Sequence, residues 1–477
     1  MQALPLEKNL YCPIRWGLPD SLVADLGARL HRFWQRFHHC FTTRTRDPSL
    51  LAHDYLRAQL TMERARNFTN IERRLRDGDG QRLQHFMSYS PWSGAAVFEQ
   101  IRREIVSTPE LAEGGTLILD ESADEKAGDE SAGVSRQYNG RMGKVDFCRV
   151  DTCLIYANLR RRLWAMVDGE LFIAQRWFSD EYRARRERTG IPTGRTFATK
   201  LDLGLRMIER CRAGGLRFDV VACDSLYGRD RQFRAALHAA GVIYAAQVPA
   251  STTVRIGEVA GKYVASVPAR EVRELARRAS TLWRTVELRD SERGILRTRC
   301  AFFRVRVIVE GRTAHDAEWL VIRQLHEPRQ YSYTLLNAPA DTPLERVAEL
   351  SARRYFVERT FQDAKSELGW AEFSARRYRA WEHHLALTAA ALWFVAQTKL
   401  EWAEGDVGRD AELAGELRVR VLPALSTANL RELLRAVLPL AQLTPAAATQ
   451  VVVKQLVQRA RATGSRLRKA RKRSDTS

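Results

Sequence analysis

Thr116-Leu117-Ile118-Leu119-Asp120 and, far downstream, Asp219-Val220-Val221-Ala222-Cys223-Asp224 are two short apolar runs that each close on an aspartate. Runs of this length and β-branched content read as buried strands. An ionised carboxylate at the end of a buried strand is costly unless something pairs with it. Two of them on neighbouring strands repel, unless a divalent cation sits between them. Oxygen-only ligands suit Mg²⁺ or Mn²⁺ rather than zinc. The plainer alternative is that each Asp opens a turn, which is common. Neither run decides the matter alone.

Outward from these runs, residues 145–157 and 161–167 read as strands, with a short one near 171–174. A helix is expected over 200–213, then the turn Gly214-Gly215, the second aspartate strand, a helix over 229–240 and a strand over 242–247. Strands first, then strand–helix–strand, is the one-dimensional pattern of an RNase-H-like α/β core. From 250 to 337 the period becomes two: Phe302–Val309 alternates apolar residues with Arg, and 318–324 and 331–336 are strand-like. This is a β-rich insertion. Helices resume at Pro343, run with breaks to about 400, and reappear in the Leu-rich stretch 411–460.

The flanks are helical. Leu22, Val23, Leu26, Leu30 and Phe33 recur at helical spacing, and His53–Arg76 carries Arg57, Arg64, Arg66, Arg73 and Arg74 among apolar residues. That basic stretch suits a DNA-facing helix and a solvated bundle helix equally. The tail 459–473 holds eight Lys or Arg and no acid, among them Arg468, Lys469, Arg471, Lys472 and Arg473. It is expected to be disordered, or helical only on contact with DNA. Lys plus Arg outnumber Asp plus Glu 77 to 57, a net charge of +20. Such a surplus favours polyanions, nucleic acid first, although Arg-rich composition alone produces it too. Seven dispersed cysteines show no CxxC pair and no zinc spacing, which fits a reducing cytosol. No signal core opens the chain, and the longest apolar run, 385–396, is too short to cross a bilayer. A soluble cytoplasmic protein with no membrane partner is expected.

A third acid comes from the stretch around 344–369. Arg354, Glu358, Phe361 and Lys365 stand at i, i+4, i+7 and i+11, one face of a continuous helix. Glu358 could then reach a metal while Arg354 and Lys365 present charge to phosphates. An exposed helix with i,i+4 ion pairs is the bland alternative. The glycine-rich segment 133–143 lacks the Gly-Lys-Ser/Thr ending of a nucleotide loop and reads as a hairpin. His383-His384 has no partner at ligand spacing and reads as helix packing.

At these residues the chain resembles the DDE transposases of bacterial insertion sequences, in the branch with a β insertion between the second Asp and the Glu. Four segments carry the likeness. The first is Leu119-Asp120 through Lys126 and Gly128, then Ser131-x-Gly133-Val134-x-Arg136-Gln137-Tyr138-x-Gly140-x-x-Gly143-Lys144 and Cys148. The second is Val221-x-x-Asp224-x-x-Tyr227-Gly228. The third is 333–343 leading into Arg354, Glu358 and Lys365. The fourth is Glu367-x-Gly369, Arg379-x-Trp381 and His384-x-x-Leu387. The family's third motif is usually Tyr-x2-Arg-x3-Glu-x6-Lys, and here Ser351 stands at the Tyr position. Phe147-Cys148-Arg149 stands where relatives often have Asn-Cys-Gln. Asp124 rivals Asp120 for the first acid but lies in a polar stretch.

The resemblance implies a catalytic and metal-binding triad of Asp120, Asp224 and Glu358 around two Mg²⁺ ions, with Mn²⁺ as substitute. It implies phosphate contacts from Arg354 and Lys365; the basic tail, from its charge alone, is expected to make a non-specific DNA contact. It further implies cleavage at transposon ends and transfer of the 3′-hydroxyl into target DNA. The partner is double-stranded DNA, both terminal repeats and target, engaged by a homodimer and found with the nucleoid. The rival functions are a transposase-derived DNA-binding protein and a stand-alone RNase-H-like nuclease. The expected layout is a helical DNA-binding region over 1–110, the core's first part over 111–248, the β insertion over 249–337, the core's second part over 338–400 and a helical region with the basic tail over 401–477.

Overall fold

The computed structural model describes residues 9–474 except 45, 77, 127, 141, 260–261, 264–267, 279, 292–293, 310–311, 314–315, 326–329, 406 and 439–444. The strands are β1 (Gly115–Glu125), β2 (Ser135–Asn139), β3 (Lys144–Asn158), β4 (Leu163–Phe172), β5 (Val220–Cys223), β6 (Tyr244–Gln247), β7 (Thr253–Ile256), β8 (Glu258–Val259), β9 (Lys262–Tyr263), β10 (Arg270–Glu271), β11 (Arg284–Ser291), β12 (Gly294–Val309), β13 (Arg312–Thr313), β14 (Glu318–Gln324) and β15 (Tyr331–Leu336). All but β8 and β9 join one sheet.

At its centre the order is β4-β3-β1-β5-β6. β1, β3 and β4 are antiparallel, while β5 and β6 run parallel to β1 and to each other. This is the RNase-H-like arrangement, an α/β core with helical regions on both sides of it in the chain. Leu117, Ile118 and Leu119 are fully buried because both faces of the sheet are covered. On one face the Lys200–Ala213 helix presses so close at Gly204 that a Cβ there would come within 2.4 Å of Leu119. On the other, Leu385 of the Tyr378–Glu404 helix lies against Gly169 of β4.

The β insertion continues this same sheet. β15 pairs antiparallel with β6, and β14, β12 and β7 follow in turn. Its period of two has a simple cause. Val321 and Trp319 face the Leu344–Ser351 helix, whereas Leu320 and Ile322 face the Val272–Arg277 helix. The buried Glu318 is held by Arg234 at 3.2 Å and by the Tyr244 hydroxyl at 2.7 Å.

Four sequence expectations need correction. The segments 161–167 and 171–174 are one strand, β4, because β3 is long enough to pair with all of it. β1 does not end at Asp120: it stays paired with β3 as far as Glu125, so the aspartate is mid-strand. The basic stretch 53–76 is not one helix. It breaks between Thr61 and Phe68, where Ala65 takes a positive φ of 58° and Arg66 turns inward to Glu372. The tail is not disordered, since the Pro445–Ser474 helix runs through it. Arg468 is exposed on that helix, and the side chains of Lys469, Arg471, Lys472 and Arg473 lie outside the described residues. Among the described residues no helix is long and apolar enough to cross a membrane. The glycine-rich segment is the β2–β3 hairpin.

Gly228 shows why a glycine follows the second aspartate strand. A Cβ there would sit 1.8 Å from the Gln247 carbonyl oxygen at the end of β6. Backbone cannot yield as a side-chain tip can. Gly228→Ala is therefore expected to lower stability by about 2 kcal/mol or more, read as a lower urea midpoint.

Candidate active site

Register brings the two aspartates together. Leu119 of β1 is paired with Cys223, the last residue of β5, so Asp120 and Asp224 occupy the next step along adjacent parallel strands. β5 stops there because Asp224 caps the short Ser225–Gly228 helix, its Oδ1 accepting from the Leu226 amide at 2.9 Å. β1 continues, still paired with β3 on its other edge but with no strand on the β5 side, which leaves a gap there. Successive strand residues point to opposite faces. Where the neighbouring strand has ended, both Asp120 and its follower Glu121 can turn into that gap. One carboxylate oxygen from each of Asp120, Glu121 and Asp224 lies within 4.8 Å of the others.

The electrostatics of this cluster follow from burial. Burial pushes the Asp120 carboxyl up to about 7; the Arg354 guanidinium opposes the rise and the Asp224 charge adds to it. Burial also raises Glu121, against the pull of Lys200, whose ammonium is 3.4 Å away. Three acids held this close in a half-buried gap suit a hard divalent cation, whose charge removes their mutual repulsion. The donor set is all oxygen, and no Cys or His joins it among the described residues. The residues present fit one such ion.

The third motif is delivered by a broken helix. After Leu344–Ser351 come a 3-10 turn, Arg353–Tyr355, an α-helical stretch, Phe356–Gln362, and a π turn, Asp363–Glu367. The expected continuous face does not exist, because each change of pitch rotates the residues after it. Arg353 anchors the segment. Its guanidinium is nearly fully buried and reaches Thr116 at 2.9 Å, Asp219 at 3.1 Å and Glu349 at 2.6 Å. Those contacts tie the motif to the starts of β1 and β5. Ser351, where relatives carry Tyr, is buried and bonds the Ala348 carbonyl at 2.7 Å. Tyr355 is half exposed nearby.

From this anchor Arg354 reaches Asp120 at 2.6 Å and Glu358 at 3.4 Å. The guanidinium thus stands between the first acid and the third. Glu358 is 66% exposed and lies outside the 4.8 Å cluster. Lys365, in the π turn, donates to the Ala123 carbonyl on β1 at 3.1 Å. Arg354 and Lys365 therefore reach β1, and Glu358 pairs with Arg354, but of the three acids expected from the sequence only Asp120 and Asp224 share a ligand-sized space, with Glu121 beside them. Glu121 escaped the sequence reading because strand periodicity assigns it to the opposite face from Asp120. Asp124 is committed elsewhere, to Arg149 at 3.0 Å and Lys126 at 2.6 Å. His383 and His384 are buried in the helical seam. His384 meets the Tyr55 hydroxyl at 2.8 Å, and His383 stacks on Trp92 at 3.5 Å. Burial pushes both well down, to about 4 for His383 and about 3 for His384, so they pack as neutral rings.

Comparison with known proteins agrees with this geometry. A family model described as "DDE superfamily endonuclease" matches residues 36–296, more than half of the chain. A probable transposase for insertion sequence element IS701 from Microchaete diplosiphon is 24% identical over 300 residues, covering 62% of this chain and 69% of that protein. The match takes in β1 and β5 with their aspartates, and the chain belongs to the DDE superfamily endonucleases.

Proposed function

We propose that the chain is the transposase of an insertion sequence, cleaving DNA at the element's ends and joining the freed 3′-hydroxyl to target DNA. The observation that carries this reading is the convergence of Asp120 and Asp224 at one step of adjacent parallel strands, with Arg354 on Asp120 and Glu358 beyond it. Asp120, Asp224 and Glu358 are the catalytic acids in this reading. Asp120 and Asp224 would hold Mg²⁺, with Mn²⁺ as its substitute, and Glu358 would complete a two-ion site. Bound there, the metal supplies the charge that activates the attacking hydroxyl and stabilises the leaving oxygen.

The chain's own residues do the rest. The sheet fixes the aspartates in line and burial keeps bulk water from screening them. Arg354 and Lys365 offer cations to the phosphates flanking the scissile bond. The net charge of +20 draws DNA to the surface, and Arg468 with the rest of the basic helix end gives a sequence-independent contact. In the synaptic complex two copies would bring two ends together.

The test is a plasmid carrying the DNA that flanks the gene on both sides, where this reading expects inverted repeats. With Mg²⁺ and purified protein, cleavage at the repeat ends and covalent joining of a cleaved end to a second plasmid are expected. Cleavage without joining would point to a stand-alone nuclease. DNA binding without cleavage would point to a binding protein derived from a transposase.

A further inference from the structure

Glu121 is the cluster member that no family motif accounts for. Its side chain is more than four-fifths enclosed, and its Oε1 has no hydrogen-bond partner of good geometry, only the more distant Lys200 ammonium. A second group points the same way. The Tyr227 side chain is fully buried with its hydroxyl near Glu121 and Thr152 but in no hydrogen bond of good geometry, and burial first, then the Glu121, Asp120 and Asp224 charges, disfavours its ionisation. A phenol enclosed beside three acids, next to a carboxylate oxygen held only loosely by Lys200 at 3.4 Å, marks a polar space that suits a cation. Glu358, by contrast, is exposed and held off by Arg354.

We propose that Glu121 is a direct ligand of the divalent cation, joining Asp120 and Asp224, so that the resting site is assembled without Glu358. Tyr227 then orients the Glu121 carboxylate from behind. Lys200 holds that carboxylate in the absence of metal and competes with the ion for it. This rests on the metal reading of the site given above.

Mn²⁺ titrated alone into the full chain, with free Mn²⁺ read by electron paramagnetic resonance, tests it. Glu121→Gln should weaken Mn²⁺ binding by about tenfold or more, as Asp224→Asn should. Lys200→Met should tighten it, whereas a purely structural Glu121–Lys200 pair predicts a loss in both variants. Should Glu121→Gln fail to fold, the double variant Glu121→Gln/Lys200→Met, which leaves no lone buried ammonium, gives the same readout. Mn²⁺ binding at wild-type strength in either Glu121 variant overturns the proposal while leaving Asp120 and Asp224 as ligands. Failure of the wild-type chain to bind Mn²⁺ overturns the metal reading and this inference with it.

Discussion

Asp120→Asn and Asp224→Asn should each lower Mg²⁺-dependent DNA cleavage by roughly a thousandfold or more, with DNA binding largely retained. The size follows from what the acids do. Charge stabilisation by a bound metal is worth several kcal/mol, and each 1.36 kcal/mol is tenfold in rate. Asparagine keeps the shape and the hydrogen bond from the Leu226 amide to residue 224, but it removes the charge that holds the ion. Folding should survive, and Asp120→Asn should be well tolerated. Its carboxyl is already pushed up to about 7 by burial, so a neutral side chain at that place costs the fold little. Gel-shift and cleavage assays on the same preparations measure both halves. Full cleavage by either variant would remove the catalytic assignment.

The second large effect is on stability. Arg353→Met should destabilise the protein by about 3 kcal/mol, read from urea denaturation. Removing one partner of a buried ion pair typically costs about 3–5 kcal/mol. The lower end applies because Asp219 and Glu349 are each about a third exposed and partly rehydrate; Arg346 also remains on both, at 2.7 Å and 2.6 Å. The same change should lower cleavage beyond what the lost stability explains, since Arg353 fixes the turn that carries Arg354 and Glu358. A variant as stable as wild type would mean that the network does not anchor the motif.

How much of this was legible in the sequence depends on the range of the forces involved. The apolar cores of β1 and β5 were readable because burial on both faces demands an unbroken apolar run. The Lys200–Ala213 helix was expected over its full length, and the structure adds the Thr199–Asp202 capping box that starts it. The rest of β1 was not. Residues 121–125 are mostly polar, and they stay in the sheet because Lys200 and Arg149, from other segments, and the neighbouring Lys126 neutralise Glu121 and Asp124. The run of β6 into β15 was hidden for a similar reason, since strand pairing across that separation leaves no periodic trace. At the site, Asp120 and Asp224 could be singled out because each ends an apolar run. Glu121 could not, as it reaches the same gap only because β5 stops level with Leu119, two residues before it. The 3-10 and π turns around Glu358 defeat helical-wheel reasoning, which assumes one pitch throughout.

In the reading proposed above, Asp120 and Asp224 share one divalent cation. Crystals of the protein soaked in Mn²⁺ and measured at an anomalous wavelength test it most directly. An anomalous peak is expected about 2 Å from a carboxylate oxygen of each aspartate, with the Arg354 guanidinium displaced from Asp120. Mn²⁺ bound elsewhere, with Arg354 still on Asp120 and no peak between the two aspartates, would contradict it.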